Sequence, residues 1–346
     1  MTTVALDAFG ADRGPGEVGA GAAEALTDGV AIRLFGPAGL PAGRGVELIE
    51  TEEWIDNSDE PVAAVRSRPE ASIVRAARDV AGGGSQALVS AGSTGATMTA
   101  ALFAFKRIRG VQRPGLAVLV PVPGAGGKPV LLLDCGANAE ARPQHLVQFA
   151  FLGSAFSEAV LGVSRPRVGL LSVGEEASKG RPEVIAAHEV LAGAPGIRFE
   201  GNAEGRDIVS GDFDVVVTDG FTGNVALKTL EGTAKAVAGA VREAATSNPM
   251  AMAGGLLLRP ALGRLRRTLD PNATGGAILL GVRGVAVVAH GSSTAAGIAA
   301  AVRLADRAVR ERAIERMEEA LAGSGAGRAA LRERARESAE PDTQAG

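Results

Sequence analysis

"VVVTDGFTGN", residues 215–224, holds a strand, a turn and a helix start in ten residues. Three valines run into Thr218 and Asp219, a glycine turns the chain, and Asn224 stands where a helical run begins. A β-branched run suits a strand buried on both faces. Small polar residues before a helix suit its unsatisfied N–H groups. The same plan recurs in "LVSAGST", "LLDCGAN", "LLSVGEE" and "VVAHGSS", around Gly92, Gly136, Gly174 and Gly291. "ALDAFGADRGPG" near the start is a looser version. Their irregular spacing excludes a solenoid. Right-handed crossovers predict that these corners line one edge of a sheet, where open α/β sheets bind ligands.

Working outward, strand-like runs occur at 3–7, 30–36, 46–51, 86–90, 115–122, 129–136, 167–174 and 213–220. Helix-like runs lie between them, at 70–83, 94–108, 142–162, 225–246 and 295–321. "AILLGVRGVAVVAHG" (277–291) holds one or two further strands. This alternation predicts a single α/β domain over 1–322, with a mostly parallel sheet and helices on both faces in three α/β/α layers. Residues 323–346 are Gly-, Ala-, Arg- and Glu-rich and read as a frayed tail. One stretch breaks the rhythm. In "PMAMAGGLLLRPALGRLRRTLD" (249–270), leucines alternate with Arg259, Arg264, Arg266 and Arg267. It reads as an amphipathic helical hairpin over about 248–272, for a dimer interface, an anionic membrane surface or an acidic carrier protein.

Apolar residues make up 46 % of the 346, charged residues 22 %, and the net charge is −3, so nothing points to a nucleic-acid partner. The 48 glycines, roughly twice ordinary usage, suit turns and close backbone approach. Cys135 is the one cysteine, which excludes an internal disulfide and a multi-cysteine metal site. There is no basic-then-apolar leader at the start and no apolar run of about 18 residues, which predicts a cytoplasmic protein.

Familiar catalytic motifs are missing. No G-x-G-x-x-G opens a helix after the first strand, so a nicotinamide dehydrogenase is disfavoured. "PGAGGKP" (123–129) lacks Walker spacing, and no G-x-S-x-G or H-E-x-x-H occurs. Cys135, beside Asp134, makes a poor nucleophile. His145 and His188 fall in helical runs and read as structural or exposed. What remains suits an anion: Ser90, Ser93 and Thr94 at one helix start, and Thr222, Gly223 and Asn224 at another, where N–H groups and the helix dipole favour negative charge. Lys179 sits on a loop after a strand, and "GNAEGRD" adds Asn202, Glu204 and Arg206.

The motifs "ALDAFGADRGP", "LVSAGSTGA", "LLDCGAN", "HLVQFAFLGS", "VGLLSVGEEASKG", "GNAEGRDI", "VVTDGFTGNVALKTLEG" and "GVAVVAHGSS" run collinearly over roughly residues 3–305. This series resembles the bacterial phosphate acyltransferases of the PlsX type. The resemblance implies a Rossmann-like sandwich similar to the isopropylmalate dehydrogenases and phosphotransacetylases. It also implies formation of acyl phosphate from acyl-acyl-carrier protein and inorganic phosphate, the first step toward phosphatidic acid in bacterial phospholipid synthesis. A homodimer, peripheral membrane contact, a downstream glycerol-3-phosphate acyltransferase partner and no cofactor follow from the same likeness. Four positions in three motifs depart from the family pattern: Phe9 and Ala11 in "DAFGAD" for "DAMGGD", Ser93 for the asparagine of "SAGNTGA", and Thr274 for the tyrosine of "YGG".

Strand-end placement and resemblance together assign Lys179 to phosphate or the developing oxyanion. Ser93, Thr94 and Asn224 become donors at two helix starts. Asp134, Asn138 and Asp219 orient them, and His290 assists proton transfer. Thr222 and Arg206 join the substrate-binding set, with Asp7 and Asp12 as weaker members. Two rivals stay open: a same-fold acyltransferase using acyl-CoA, and a non-enzymatic membrane adaptor of lipid synthesis.

Overall fold

The computed structural model describes residues 1–122, 128–268 and 274–324, with the side chains of 262 and 264–268 outside that description. Its strands are β1 (Thr3–Asp7), β2 (Ala31–Gly36), β3 (Val46–Glu50), β4 (Ala87–Ser90), β5 (Gly115–Pro121), β6 (Pro129–Leu133), β7 (Arg167–Leu171), β8 (Arg198–Ala203), β9 (Val215–Val217), β10 (Ala277–Leu280) and β11 (Val285–Val288). They form one sheet in the order β3-β2-β1-β4-β11-β10-β5-β6-β9-β7-β8. Most neighbours are parallel, as the alternating pattern predicts. Three central pairs, β11–β10, β10–β5 and β5–β6, are antiparallel.

Those three reversals correct the expectation of a single edge. Each hairpin-like pairing flips the chain direction, so β6, β7, β8 and β9 run opposite to β1, β2, β3, β4 and β11. The strand ends nevertheless meet at one height. A single row of the ladder runs Leu34–Leu6–Val89–Val287–Ile278–Ala117–Leu133–Val217–Leu170. In both halves the polar corners begin within a residue or two of this row, and the chain then leaves in opposite directions.

The helices are α1 (Pro15–Ala25), α2 (Pro61–Ser67), α3 (Ser72–Ala81), α4 (Thr94–Phe105), α5 (Pro143–Leu161), α6 (Pro182–Ala192), α7 (Gly220–Thr246), α8 (Pro249–Thr268), α9 (Ala295–Arg310) and α10 (Ala313–Gly323). The shared row faces α1, α5, α6, α9 and α10, in one continuous core that includes Phe149, Phe156 and Ile298. The opposite face is covered in two pieces. Helices α3 and α4 pack on Leu88, Ala286 and Leu279. The first turns of α7 pack on Leu132 and Val216 through Ala226, Leu227 and Leu230. Between these pieces lies a small apolar strip of Leu116, Val118, Ala277 and Val288, touched by Met98 of α4 and by Ala137.

Three local readings change. Helix α7 starts at Gly220 rather than near Val225, because Asp219 caps it and the glycines stay helical. The predicted 295–321 helix is two helices, broken where Arg312 adopts φ 53°. The hairpin is formed by α7 and α8 around Ser247–Asn248, so 249–268 is one arm of it, with Pro260 inside. Residues 269–272 of the expected hairpin, 325–346 of the expected tail and most of "PGAGGKP" lie outside the described residues. Among the described residues no helix is long and apolar enough to cross a membrane.

Candidate active site

The corner that ends β9 is organised by carboxylates. Asp219 accepts the Thr222 N–H through Oδ1 at 2.9 Å and the Thr222 hydroxyl through Oδ2 at 2.8 Å. Asp134, fully buried just after β6, accepts from the N–H groups of Leu116, Ala137 and Asn138 and from the Asn138 amide, at 2.8–3.0 Å. Burial raises the Asp134 pKa, and those hydrogen bonds oppose the rise. Asn138 also donates to the Pro114 carbonyl at 2.7 Å and receives the Gly220 N–H on its own carbonyl at 2.7 Å. Asp134, Asn138 and Asp219 thus fix the start of α7.

One part of the sequence reading is overturned here. The N–H groups of Gly220, Thr222 and Gly223 are already taken, by the Asn138 carbonyl and by Asp219. The helix start is thus internally capped rather than an open row of donors. The Thr222 hydroxyl is likewise spent on Asp219. Asn224, one turn in, is exposed beside Gly136, and its side-chain amide has no hydrogen-bond partner among the described residues.

Lys179 joins this corner through its neighbours. Asn202 lies on β8, not in a loop, and its buried amide donates to the carbonyls of Gly174 and Glu176 at 3.3 and 2.8 Å. That pins the 174–179 loop. Lys179 lies over Gly174, is exposed, and has no ion-pair partner among the described residues. Two residues on, Arg181 reaches Asp219 Oδ2 at 3.2 Å. Sequence reasoning missed Arg181. Its one visible signal was a cation placed directly before the proline that opens α6. Arg206 behaves otherwise than expected: its guanidinium is engaged with Glu175 and Glu204 at 2.7 and 2.9 Å, so it tethers the loop from its rim.

The second corner gathers Ser93, Thr94, Asp7, Asp12 and His290 at the ends of β4, β1 and β11. Asp7 is buried and accepts from Ser72 and Ser90 at 2.6 and 2.8 Å. Burial pushes its carboxyl up to about 6, against the lowering effect of those hydroxyls. Gly10, at φ 79°, lies so close that a Cβ would stand 2.7 Å from the Gly92 Cα. Asp12 takes the Gly291 carbonyl on its N–H at 2.9 Å. Ser93 caps α4 through Ala96, leaving the Thr94 and Gly95 N–H groups without an acceptor among the described residues. His290 is exposed and bonded to Ser292. Phe9 stacks on Trp54, with ring centroids 5.2 Å apart.

The structure thus divides the expected site in two. Lys179, Asn224, Asp219, Thr222, Asp134 and Asn138 share one corner, and Ser93, Thr94, Asp7, Asp12 and His290 share the other. From β11 to β6 is three strand spacings, roughly 14 Å. The apolar strip of Leu116, Val118, Ala277 and Val288 lies between them. Cys135 is buried, and burial followed by the Asp134 charge pushes its thiol far up, which removes it as a nucleophile.

Residues 2–316 match the family model described as "Fatty acid synthesis protein". The chain is 45 % identical over 309 residues to a phosphate acyltransferase of Geobacillus sp. (strain WCH70), covering 87 % of this chain and 93 % of that one. It is 43 % identical over 319 residues to a phosphate acyltransferase of Synechococcus sp. (strain JA-3-3Ab), covering 89 % and 86 %. The chain belongs to the phosphate acyltransferase family. It is therefore an acyltransferase, and the sequence resemblance is borne out. In fold this phosphate acyltransferase is similar to a phosphotransacetylase from Streptococcus pyogenes, with TM-score 0.60 at 18 % identity over 91 % of this chain and 94 % of that one. It also resembles a branched-chain phosphotransacylase from Enterococcus faecalis V583, at TM-score 0.59 and 17 % identity over 89 % and 99 %.

Proposed function

We propose that this phosphate acyltransferase moves an acyl group from acyl-carrier protein to inorganic phosphate, at the corner of Lys179 and Asn224. A phosphate oxygen attacks the thioester carbonyl carbon, the C–S bond breaks, and the carrier's thiolate leaves and takes a proton from water. Phosphate is itself the nucleophile, so no enzyme nucleophile is required. The observation that carries this reading is Lys179, an exposed cation without an ion-pair partner among the described residues, held on a pinned loop beside the capped start of α7. Lys179 and the Asn224 amide take the phosphate and the developing oxyanion, which preorganised donors stabilise without reorganisation. The acyl chain lies along Leu116, Val118 and Met98 toward the second corner. The open Thr94 and Gly95 N–H groups there offer a further anion seat. His290 stands at that second corner, so the proton is not routed through it.

The test is acyl-phosphate formation by the purified protein with phosphate and either acyl-carrier protein or acyl-CoA. Turnover that needs phosphate and prefers the carrier substrate is expected. Preference for acyl-CoA selects the phosphotransacetylase-like reading, and no phosphate-dependent loss of thioester leaves the adaptor reading. The product is then consumed by an acyltransferase that takes glycerol 3-phosphate.

A homodimer with peripheral membrane contact through the α7–α8 hairpin completes the proposal. Leu257 is 84 % exposed and Met250 85 % exposed, an apolar surface with Arg259 beside it. Leu257→Glu is expected to lower co-flotation with anionic vesicles at least about fivefold while acyl transfer in solution is kept. Unchanged flotation excludes this arm as the anchor.

A further inference from the structure

Beside the reacting corner, cations collect in a way that the overall charge of −3 does not suggest. "KRIRGVQR", residues 106–113, leaves the end of α4 with Lys106, Arg107, Arg109 and Arg113 exposed, while Ile108 and Val111 are buried. The loop is rigidly held. The buried Gln148 of α5 accepts the Gln112 N–H at 2.8 Å and donates to the Gly110 carbonyl at 2.9 Å. Arg283 is fastened to it through its N–H on the Lys106 carbonyl at 3.0 Å. Arg113 and Arg142 converge on His145, whose pKa falls through burial first and then through these two charges. None of the six cations has an ion-pair partner among the described residues. Phe103, in the last turn of α4 and 44 % exposed, adds an apolar anchor under the Arg66 guanidinium at 5.4 Å.

This patch adjoins the candidate active site. Arg113 immediately precedes Pro114, whose carbonyl takes the Asn138 amide, and Asn138 in turn holds the start of α7. The turn of the α7–α8 hairpin lies at the other end of a 27-residue helix, roughly 40 Å along its axis. The patch is therefore placed at the reacting corner and remote from the proposed membrane arm.

We infer that the exposed face of Lys106, Arg107, Arg109, Arg113, Arg142 and Arg283 docks a negatively charged protein that presents the acyl thioester to the Lys179–Asn224 corner. The inference rests on the proposed use of a carrier-bound acyl donor. Opposed charges steer such an encounter and set its orientation, while the thioester arm reaches the site past Pro114 and Asn138. The face is rim-like, so it acts on association and is weakened by salt.

The test compares the wild-type enzyme with Arg109→Glu/Arg283→Glu, using acyl-carrier protein and the carrier-free donor acyl-pantetheine. The expected result is a rise of about 10-fold or more in KM for acyl-carrier protein at low salt. The wild-type salt dependence is expected to flatten in the variant, with kcat and the acyl-pantetheine kinetics unchanged. An unchanged KM for the carrier substrate overturns the inference while the proposed reaction stands. Equal losses with both donors also overturn it, because the damage then lies in the site. Loss of binding to vesicles rich in anionic lipid, with carrier KM unchanged, assigns the face to lipid instead. Wild-type enzyme that uses acyl-pantetheine but not acyl-carrier protein sinks the carrier reading and this inference together.

Discussion

Lys179→Ala is expected to lower kcat/KM for acyl-phosphate formation by about 10²–10³, or roughly 3–4 kcal/mol of transition-state stabilisation. The melting temperature should stay within about 1 °C of wild type, since Lys179 is exposed and makes no ion pair among the described residues. The size of the effect follows from its setting. Glu175, Glu176, Glu183 and Asp219 surround this corner, and Arg181 and Arg206 are spent on carboxylates. In the proposed reaction Lys179 is then the cation of this corner, among the described residues, left to offset the negative charge of phosphate and of the tetrahedral intermediate. Steady-state kinetics with folding checked by circular dichroism decide the matter. A variant retaining more than half of wild-type kcat/KM removes Lys179 from the mechanism.

Gly223→Ala is expected to be damaging without touching any reacting atom. A Cβ at Gly223 collides with the Asp134 carbonyl oxygen and approaches the Thr218 methyl to 2.9 Å. Neither neighbour yields easily, because Asp134 is held by four hydrogen bonds and Thr218 exchanges backbone bonds with Leu133 and Asp134. Overpacking of this kind costs about 1–3 kcal/mol, and the upper end applies where backbone is struck. The first turn of α7 then shifts, and Asn224 with it. A displacement of about 1 Å at a reacting centre costs about 100-fold in rate. A melting curve and kcat/KM measured together check this. Wild-type values for both would show that α7 is not seated on Asp134 as described.

Much of the fold was legible because apolar runs and glycine corners alternate. Strands β1, β4, β6 and β9 follow from their valines and leucines, within the expected runs 3–7, 86–90, 129–136 and 213–220. Their directions were not legible. A run such as "GLAVLVP" reads the same whichever way its neighbours point, and only the pairing of β5 with both β10 and β6 reverses the second half of the sheet. Strand β8 was hidden because "RFEGNA" is an edge strand with few apolar residues. The corners themselves were legible as polar residues after strands. Which of their donors stay open was not, since capping of α7 by Asp219 and the use of Gly220 by Asn138 depend on long-range packing. Arg181 was invisible for the same reason: its partner Asp219 lies 38 residues away.

Strand β11 fits between β4 and β10, and its pairing with β4 joins residues 87–90 to 285–288, almost 200 residues later in the chain. At translation speeds of about 5–20 residues per second, β4 waits roughly 10–40 s after leaving the ribosome for its neighbour. Throughout that interval its edge toward β11 has open hydrogen-bonding groups, a template for stray strands. The corner of Ser93 and Asp7 also waits for Gly291 to reach Asp12. A nascent chain thus carries this edge unpaired until residues 285–288 emerge, and no chain that stops short of Gly291 can hold both corners in place.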